Sequence, residues 1–334
     1  MAGIKDIARA ANVSLSTVSK AIHGRHDIGE ATRARILKIA EDLDYHPKAF
    51  GQGSKKVLTK NVGVIMRREL QAHNGNPFFS RVLEGIEAEL AVNNFSLLIH
   101  LLPKFHDGRF PKMLKERTVD GVVLVGPMDR SFVEDITRTG LPTAVIEPKS
   151  LAEDVSQVLI DNEEGAFLAT QHLIDQGHRK IGFISDQLNR HSFTQRYAGY
   201  TRAMKVNDLR LNKSYVRTAG HEQGAKHVNA LLDGATSPTA ILFANDLNAL
   251  SGCRAIKARG LSIPDDISVV GFDDIFLASQ SSPPLTTVRV YKEEMGSIAV
   301  RHILNTLDEK KKGATTTIVP VKLIERGSVG PVSS

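Results

Sequence analysis

Three short segments near the start of the chain show apolar residues at the i, i+3, i+4, i+7 spacing of a helix with one buried face. The inner faces comprise Ile4, Ile7, Ala8 and Ala11, then Val18, Ala21 and Ile22, and finally Ile36, Ile39, Ala40 and Leu43. Asn12-Val13 interrupts the first helix, Ser14 can cap the second by accepting a backbone N–H, and Gly24 ends it. Two short helices on a tight turn, packed against a third, predict a helix-turn-helix arrangement.

From residue 61 the pattern changes to short apolar runs that alternate with amphipathic helices. Predicted strands cover 61–66, 96–102, 120–126, 142–147, 157–161, 180–185, 240–245 and 268–273. Apolar runs of this length separated by helices are typical of parallel βαβ units. Because about 270 residues exceed what one sheet comfortably covers, we expect two doubly wound α/β lobes.

The positive charge of the chain is concentrated at its N-terminal end. Residues 1–60 hold 11 Lys and Arg against six Asp and Glu, which accounts for five of the six formal positive charges of the whole chain. A basic module on a near-neutral body is typical of a phosphate-binding domain attached to a globular core. The alternative is a disordered or solubilising tail, but the regular apolar spacing argues against it.

The composition also excludes several classes of protein. No apolar run approaches the roughly 18 residues that a membrane-spanning helix needs, and residues 1–6 lack the start of a secretory signal. The one cysteine, Cys253, excludes an internal disulfide and a cysteine-cluster metal site, and its helical context predicts a buried structural thiol. We therefore expect a cytoplasmic protein without a metal site.

The N-terminal module carries a specific resemblance to a known family. The segments IKDIARAANVSLSTVSKAIHG (4–24) and ATRARILKIAEDLDYHPKA (31–49) closely resemble the headpiece of the lactose/galactose-repressor (LacI/GalR) family. The resemblance implies that the second helix enters the major groove of DNA by its N-terminal end. The DNA-binding residues that it implies are Ser14, Leu15, Ser16, Thr17, Ser19 and Lys20.

Within this set, the resemblance assigns base contacts to Leu15, Ser16 and Lys20, whereas Thr17 and Ser19 would lie towards phosphates. Leu15 offers an apolar contact, for instance to a thymine methyl group, and its alternative role is helix packing. Lys20 stands where the family more often has Arg. A lysine is a point charge rather than a planar fork, so its hold on a guanine should be less selective.

A basic, Gly-rich linker follows at residues 47–60 and departs from the family pattern. In relatives this segment folds on DNA into a hinge helix whose leucine wedges into the minor groove. Here Ser54 takes the wedge position, and the neighbouring Gly51 and Gly53 each cost a helix about 1 kcal/mol. Either the wedge is absent or Val57 or Leu58 replaces it, and we expect weaker DNA bending than is usual in the family. Phosphate contacts are still expected from Lys48, Lys55, Lys56 and Lys60.

The resemblance continues to the C-terminal end in DGVVLVG, GHRKIGFI, RYAGY, PTAILFAND, GLSIPDDISVVGFDD and PPLTTV. It implies a periplasmic-binding-protein-like core whose chain crosses between two lobes more than once. The predicted domains are a headpiece at 1–46, a linker at 47–60 and a core at 61–334, with lobe one at about 61–160 and 291–318 and lobe two at about 161–290 and 319–330.

Polar residues at the ends of predicted strands indicate a ligand site, because open α/β sheets bind ligands beyond the carboxyl ends of their strands. Glu147, Asn245 and Asp273 each end an apolar strand. Carboxylate and amide groups suit a hydroxyl-rich ligand. Asp274 is interpreted as a turn residue and Phe243 as a core residue.

The resemblance adds Arg196, which matches the effector-binding arginine of the family, and the pair Phe78 and Phe79, which lines the cleft in relatives. Ser192 and Asp246 are weaker candidates. Asp246 could equally be the N-cap of a helix.

These features together predict a homodimeric repressor of carbohydrate-utilisation genes that binds a pseudo-palindromic operator. A sugar or sugar derivative between the lobes would relieve repression, and the effector-sensitive interface would include helix 79–91. An enzyme is disfavoured because neither dinucleotide-binding nor phosphate-loop glycine motifs occur, so no cofactor is expected. The alternative is a sugar-binding protein of the transport type, which would need export but no headpiece. No membrane partner is expected.

Overall fold

Three helices pack around a small apolar core at the N-terminal end of the chain. In a computed structural model, which describes residues 4–22, 28–43, 58–68, 77–103, 110–186, 188–218, 223–308 and 313–332, they are α1 (Ile4–Ala11), α2 (Leu15–Ile22) and α3 (Glu30–Asp42). The core comprises Ile7, Ala8, Ala11, Val18, Ala21, Ile36 and Ala40. The predicted inner faces are confirmed except at one end, where Leu43 lies beyond α3 and stays 37% exposed.

The tight turn between α1 and α2 follows from its residues. Asn12 adopts a positive φ of 49°, a conformation that asparagine tolerates well. The backbone N–H of Thr17 donates to Ser14 Oγ at 3.1 Å, which confirms the predicted cap of α2. Arg35 donates to the carbonyl of Ala11 at 3.1 Å and so ties α3 to the end of α1. Gly24, the predicted end of α2, lies outside the described residues.

The remaining chain, Leu58–Ser334, forms a second unit built on two six-stranded sheets. Its strands are β1 (Asn61–Arg67), β2 (Ser96–Leu102), β3 (Gly121–Val125), β4 (Thr143–Ile146), β5 (Ser156–Ile160), β6 (Ile181–Ser185), β7 (Val216–Thr218), β8 (Ala240–Phe243), β9 (Ser268–Asp273), β10 (Thr286–Val290), β11 (Thr316–Val319) and β12 (Val321–Ile324). Its helices are α4 (Pro77–Val92), α5 (Lys112–Lys115), α6 (Arg130–Arg138), α7 (Asn162–Asp175), α8 (His191–Val206), α9 (Gly224–Leu232), α10 (Asp246–Ala258), α11 (Phe276–Gln280) and α12 (Lys292–Leu307).

The strand order is β11-β5-β4-β3-β1-β2 in the first sheet and β12-β10-β9-β8-β6-β7 in the second. Neighbouring strands are parallel except for β10 and β12. Parallel sheets need helical crossovers on their faces, and the interspersed helices supply them. The predicted fold class, a helical headpiece with two doubly wound α/β lobes, is confirmed.

The chain passes between the two sheets at three places. One residue separates the elements at each crossing: Asp161 between β5 and α7, Tyr291 between β10 and α12, and Pro320 between β11 and β12. After the crossings, α7 packs on α8 and the second sheet, whereas α12 packs on α4 and the first sheet. Each crossing leaves the carboxyl end of a strand, so these ends of the two sheets face each other.

Two titratable groups that flank the second sheet have structural roles. The ring of His178 lies 3.0 Å from the hydroxyls of Thr239 and Ser268 and 3.1 Å from the carbonyl of Gly330, which fixes the C-terminal segment. Burial lowers the pKa of His178. Burial also raises the pKa of the Cys253 thiol to about 11. A thiol with so high a pKa is unreactive, which agrees with the structural role predicted for Cys253.

No helix among the described residues is long and apolar enough to cross a membrane. Within the same residues, no group of three His, Cys, Asp or Glu side chains is arranged to hold a metal ion.

Candidate functional site

A buried arginine organises the carboxyl edge of the second sheet. Arg196, in α8, is 4% exposed. Its Nε donates to Asn162 Oδ1 at 2.8 Å, its Nη1 donates to the carbonyl of Ala244, and the same nitrogen lies 3.3 Å from Asp273 Oδ1. The guanidinium carbon lies 3.7 Å from the ring centroid of Phe272. An arginine over an aromatic face is held by a cation–π interaction as well as by its hydrogen bonds.

Asp273 has an unsatisfied carboxylate oxygen. It ends β9 with a φ of 114°, and the contact of its buried Oδ1 with Arg196 is an ion pair that lacks hydrogen-bond geometry. No other described residue donates to this oxygen. Burial raises the pKa of Asp273, and the charges of Arg196 and Lys292 oppose that rise. A buried acceptor without a donor costs about 1–3 kcal/mol, so a ligand hydroxyl that donated to Oδ1 would recover that free energy.

Glu147 joins this network from the first sheet. It follows β4 and accepts a hydrogen bond from the backbone N–H of Ile160 at 2.7 Å, while Asn162 Nδ2 donates to it at 3.3 Å. Burial raises the pKa of Glu147. Because Asn162 also accepts from Arg196, it connects the polar ends of both sheets at the first crossing.

The first sheet carries a further charged cluster at its carboxyl edge. Asp129 accepts hydrogen bonds from Arg67 at 2.7 Å and from Lys149 at 3.1 Å. The hydrogen bond from Lys149 is the main cause that lowers the pKa of Asp129. The backbone N–H of His191, at the start of α8, donates to the carbonyl of Lys149 at 3.0 Å and links this edge to the second lobe.

The structure gives Asn245 and Asp246 roles inside the second lobe. Asn245 Oδ1 accepts from the backbone N–H of Asn248 at 2.8 Å and caps α10. Asp246 is fully buried and accepts from Ile275 N at 2.9 Å and Thr287 Oγ1 at 2.6 Å. Burial raises the pKa of Asp246 to about 8. A sealed side chain with both oxygens engaged has no surface for a ligand, so we do not retain Asp246 as an effector contact. Nor is it the N-cap.

The predicted aromatic pair lies in the first turn of α4. The rings of Phe78 and Phe79 meet edge to face, with centroids 5.0 Å apart. The ammonium of Lys292 lies 5.8 Å from the centroid of Phe78, which brings that ring to the network around Asp273. Ser192 lies half-buried in the first turn of α8.

Two residues of this network escaped sequence reasoning. Asn162 directly follows the predicted strand 157–161, so its place at a strand end was a usable signal. Lys292 follows β10, a strand that the apolar pattern did not reveal. The sequence pattern therefore could not indicate that Lys292 lies near a strand end.

In the headpiece, the predicted DNA contacts lie around the start of α2. Leu15 is 46% exposed and lies outside the apolar core, which argues against a packing role for it. Ser16 and Lys20 are exposed, whereas Thr17 and Ser19 are half-buried. Leu15, Ser16 and Lys20 are therefore the accessible side chains of this set on α2, whereas Val18 and Ala21 form its buried face.

Other predicted DNA contacts are placed differently or lie outside the described residues. The hydroxyl of Ser14 accepts from the backbone of Thr17 and caps α2, which gives it a structural role. Lys60 extends over the ring of Phe95, with its Nζ 4.4 Å from the centroid. Lys48, Lys55 and Lys56, and the hinge position Ser54, lie outside the described residues.

Sequence comparison identifies both units. Residues 3–48 match the family described as "Bacterial regulatory proteins, lacI family", and residues 170–329 match "Periplasmic binding protein-like domain". The chain is 32% identical to the ribose operon repressor of Haemophilus influenzae over 98% of this chain and 99% of that protein. It is 31% identical to the HTH-type transcriptional repressor PurR of Aliivibrio salmonicida over 93% of each chain.

A solved structure gives the same result. The complex of the transcriptional regulator CelR with cellobiose superimposes with a TM-score of 0.73 at 25% identity, over 98% of this chain and 100% of that one. The resemblance therefore extends over the headpiece and both lobes. This chain is a DNA-binding transcriptional regulator with a ligand-binding core, not an enzyme, and it belongs to the LacI family.

Proposed function

We propose that this protein is a homodimeric repressor of carbohydrate-utilisation genes whose operator affinity is controlled by a neutral sugar bound between the two lobes. The observation that carries the proposal is the buried Oδ1 of Asp273, which has no hydrogen-bond donor among the described residues and lies beside Arg196. A ligand that donates a hydrogen bond to this acceptor would satisfy it. Sugar hydroxyls are donors, whereas a phosphate dianion or a carboxylate offers none.

The surrounding groups favour the same chemistry. Glu147 adds a second acidic side chain, whose oxygens accept hydrogen bonds and therefore also favour a ligand that donates them. On the first-lobe side, the aromatic pair offers the half-buried ring of Phe79, packed on the buried Phe78, as a surface for the apolar face of a sugar ring. Two of the similar proteins support a sugar effector. One relative is named a ribose operon repressor, and one similar solved structure is a complex with cellobiose.

The proposed division of the core into two lobes follows the three crossings, and the headpiece and linker precede the core. The headpiece would comprise residues 1–46 and the linker 47–60, and each lobe would contain one of the sheets. Effector binding would rotate the lobes about the crossings and change the spacing of the two linkers of a dimer. Such coupling typically alters DNA affinity by about 1–3 kcal/mol.

Dimerisation is supported by apolar surface on both lobes. On the second lobe, Phe276 is 68% exposed and Leu277 is 50% exposed, both in α11. On the first lobe, Val92 at the end of α4 and Ile99 in β2 are also exposed. Large exposed apolar residues often mark protein contacts. A symmetric pair of headpieces would also supply the base contacts that one headpiece lacks.

Ligand-induced stabilisation tests the effector class. A thermal-shift series on the full chain would compare D-ribose, D-galactose and cellobiose with ribose 5-phosphate. We expect a neutral sugar to stabilise the core, by about 2.7 kcal/mol at a hundredfold excess over its Kd, and the sugar phosphate to have no effect. Stabilisation by ribose 5-phosphate alone would contradict the proposed site chemistry.

Operator recognition gives a second test. With a symmetric duplex selected from a random library by the full chain, Lys20→Ala should lower the preference for that duplex over scrambled DNA by about 1–3 kcal/mol if Lys20 reads a base. Lys38→Ala is the matched control, because it removes one exposed headpiece charge from α3. An equal loss of affinity on every sequence would make Lys20 a phosphate contact. If the full chain selected no duplex from the library, the repressor function would be refuted.

A further inference from the structure

One buried lysine connects the candidate effector site to the opposite lobe. Lys292 is the first residue of α12, which packs on the first sheet, and its side chain is almost fully buried. Its Nζ donates to three backbone carbonyls, those of Asp273, Asp274 and Val290. An ammonium group has three N–H donors, so these contacts use its full capacity. Two of the acceptors, Asp273 and Asp274, form the turn at the end of β9.

That turn has an unusual backbone. Asp273 and Asp274 both have positive φ, at 114° and 50°. A left-handed conformation is unfavourable for residues other than glycine and persists only where surrounding contacts enforce it. The side chain of Asp274 accepts from Arg289 and Arg326, which fixes the outer half of the turn. On the inner half, the contact from Lys292 fixes the backbone of the residue whose Oδ1 lacks a donor.

The charges around Asp273 give Lys292 a second effect. The positive charges of Arg196 in α8 and Lys292 in α12 lower the pKa of the Asp273 carboxyl group, against the effect of burial. This carboxyl group also interacts with two acidic neighbours, Glu147 beyond β4 and Asp246 of α10. Without Lys292, one cation would face three carboxyl groups in a buried space. The lysine therefore favours the ionised form of Asp273, in which both oxygens accept hydrogen bonds and neither donates.

We propose that Lys292 is a positioning residue for effector recognition. Its ammonium holds the turn after β9 so that Oδ1 of Asp273 is presented to the ligand, and it ties that turn to α12 of the first lobe. The proposal rests on the proposed function, in which Asp273 contacts the effector. If Lys292 only filled space at the crossing, its effect on sugar binding would not depend on the side chain of Asp273.

Hydrogen exchange of the ligand-free full chain tests the positioning step. Two backbone amides of this turn are hydrogen-bonded to side chains outside it. The amide of Asp274 donates to Thr287 Oγ1, and the amide of Ile275 donates to Asp246 Oδ2. In Lys292→Met these amides should exchange at least about tenfold faster, the size expected for loss of charged hydrogen bonds. Lys292→Arg, which keeps the charge and donors, should restore slow exchange. The matched control is Lys257→Met, since Lys257 donates to one backbone carbonyl at an exposed site. It should leave this turn unchanged.

A double-mutant cycle tests whether Lys292 acts through Asp273. For the sugar among D-ribose, D-galactose and cellobiose that stabilises the wild-type chain, Lys292→Met should weaken binding about tenfold or more. The same substitution in an Asp273→Asn background should have little further effect. Lys292→Gln serves as a second variant if the methionine variant is not recovered folded.

The outcomes separate the two proposals. If none of the three sugars binds the wild-type chain, the proposed effector class is refuted, and the exchange experiment still decides the positioning role. If the turn exchanges as in the wild type in Lys292→Met, the positioning role is refuted. An equal loss of sugar affinity in the Asp273→Asn background would also overturn it.

Discussion

Replacing Arg196 with methionine is expected to lower the free energy of unfolding of the core by about 3–5 kcal/mol, because it leaves a buried charge without its partner. The charge is the carboxylate of Asp273, whose Oδ1 lies 3.3 Å from the guanidinium. The substitution also leaves Asn162 Oδ1 and the carbonyl of Ala244 without the hydrogen bonds that they accept from Arg196. Urea unfolding of the full chain measures the loss. The response to a stabilising sugar should disappear, while operator binding without sugar stays near the wild-type value.

The same helix offers a matched control. Arg202 pairs with Glu163 and Glu164, but its side chain is 41% exposed. Exposed ion pairs contribute about 0–1 kcal/mol, so Arg202→Met should cost little. Adding Asp273→Asn to Arg196→Met should recover part of the lost stability, since it removes the unpaired charge. If Arg196→Met costs no more than Arg202→Met, the arginine does not hold the site together.

The apolar pattern predicted most strands of each sheet and missed three edge strands and one internal strand. The eight strands predicted from apolar runs are all present, with ends that differ by at most two residues. The four missed strands are β7, β10, β11 and β12. Three of these lie at sheet edges, where one side of the strand is open and the sequence need not be continuously apolar. β10 is interrupted by Arg289, whose exposed side chain pairs with Asp274 and breaks the apolar run.

The site was predictable where a functional group follows a recognised strand. Glu147 and Asp273 end strands of different sheets, and they belong to one network because the carboxyl ends of the two sheets face each other and Asn162 bridges them. Arg196 came from the family resemblance, since nothing in a helix sequence indicates which side chain reaches back to a sheet. Asp246 shows the limit of this reasoning. It also follows a strand, yet its side chain turns under the sheet edge to Ile275 and Thr287.

A single added methyl group at Gly85 is expected to destabilise the core by about 3 kcal/mol, the upper end of the usual cost of overpacking. A Cβ at this position would lie 1.9 Å from the carbonyl oxygen of Glu293, where α4 crosses α12. Gly296 on the facing helix is equally close, at 2.3 Å from the carbonyl oxygen of Val82. Both obstacles are backbone atoms, so the helices themselves must separate.

Helix propensity works in the opposite direction, which makes the result informative. Alanine is better than glycine in a helix interior by about 1 kcal/mol, so a net loss in Gly85→Ala can come only from the steric conflict. Gly182→Ala in β6 is the control, because its nearest neighbours would lie at ordinary contact distances of 3.4 Å or more. Chemical unfolding of the two variants measures the difference. Because α12 begins at Lys292, separating α12 from α4 should also weaken sugar binding. Equal stability of the two variants would mean that the close crossing of α4 and α12 does not constrain the first lobe.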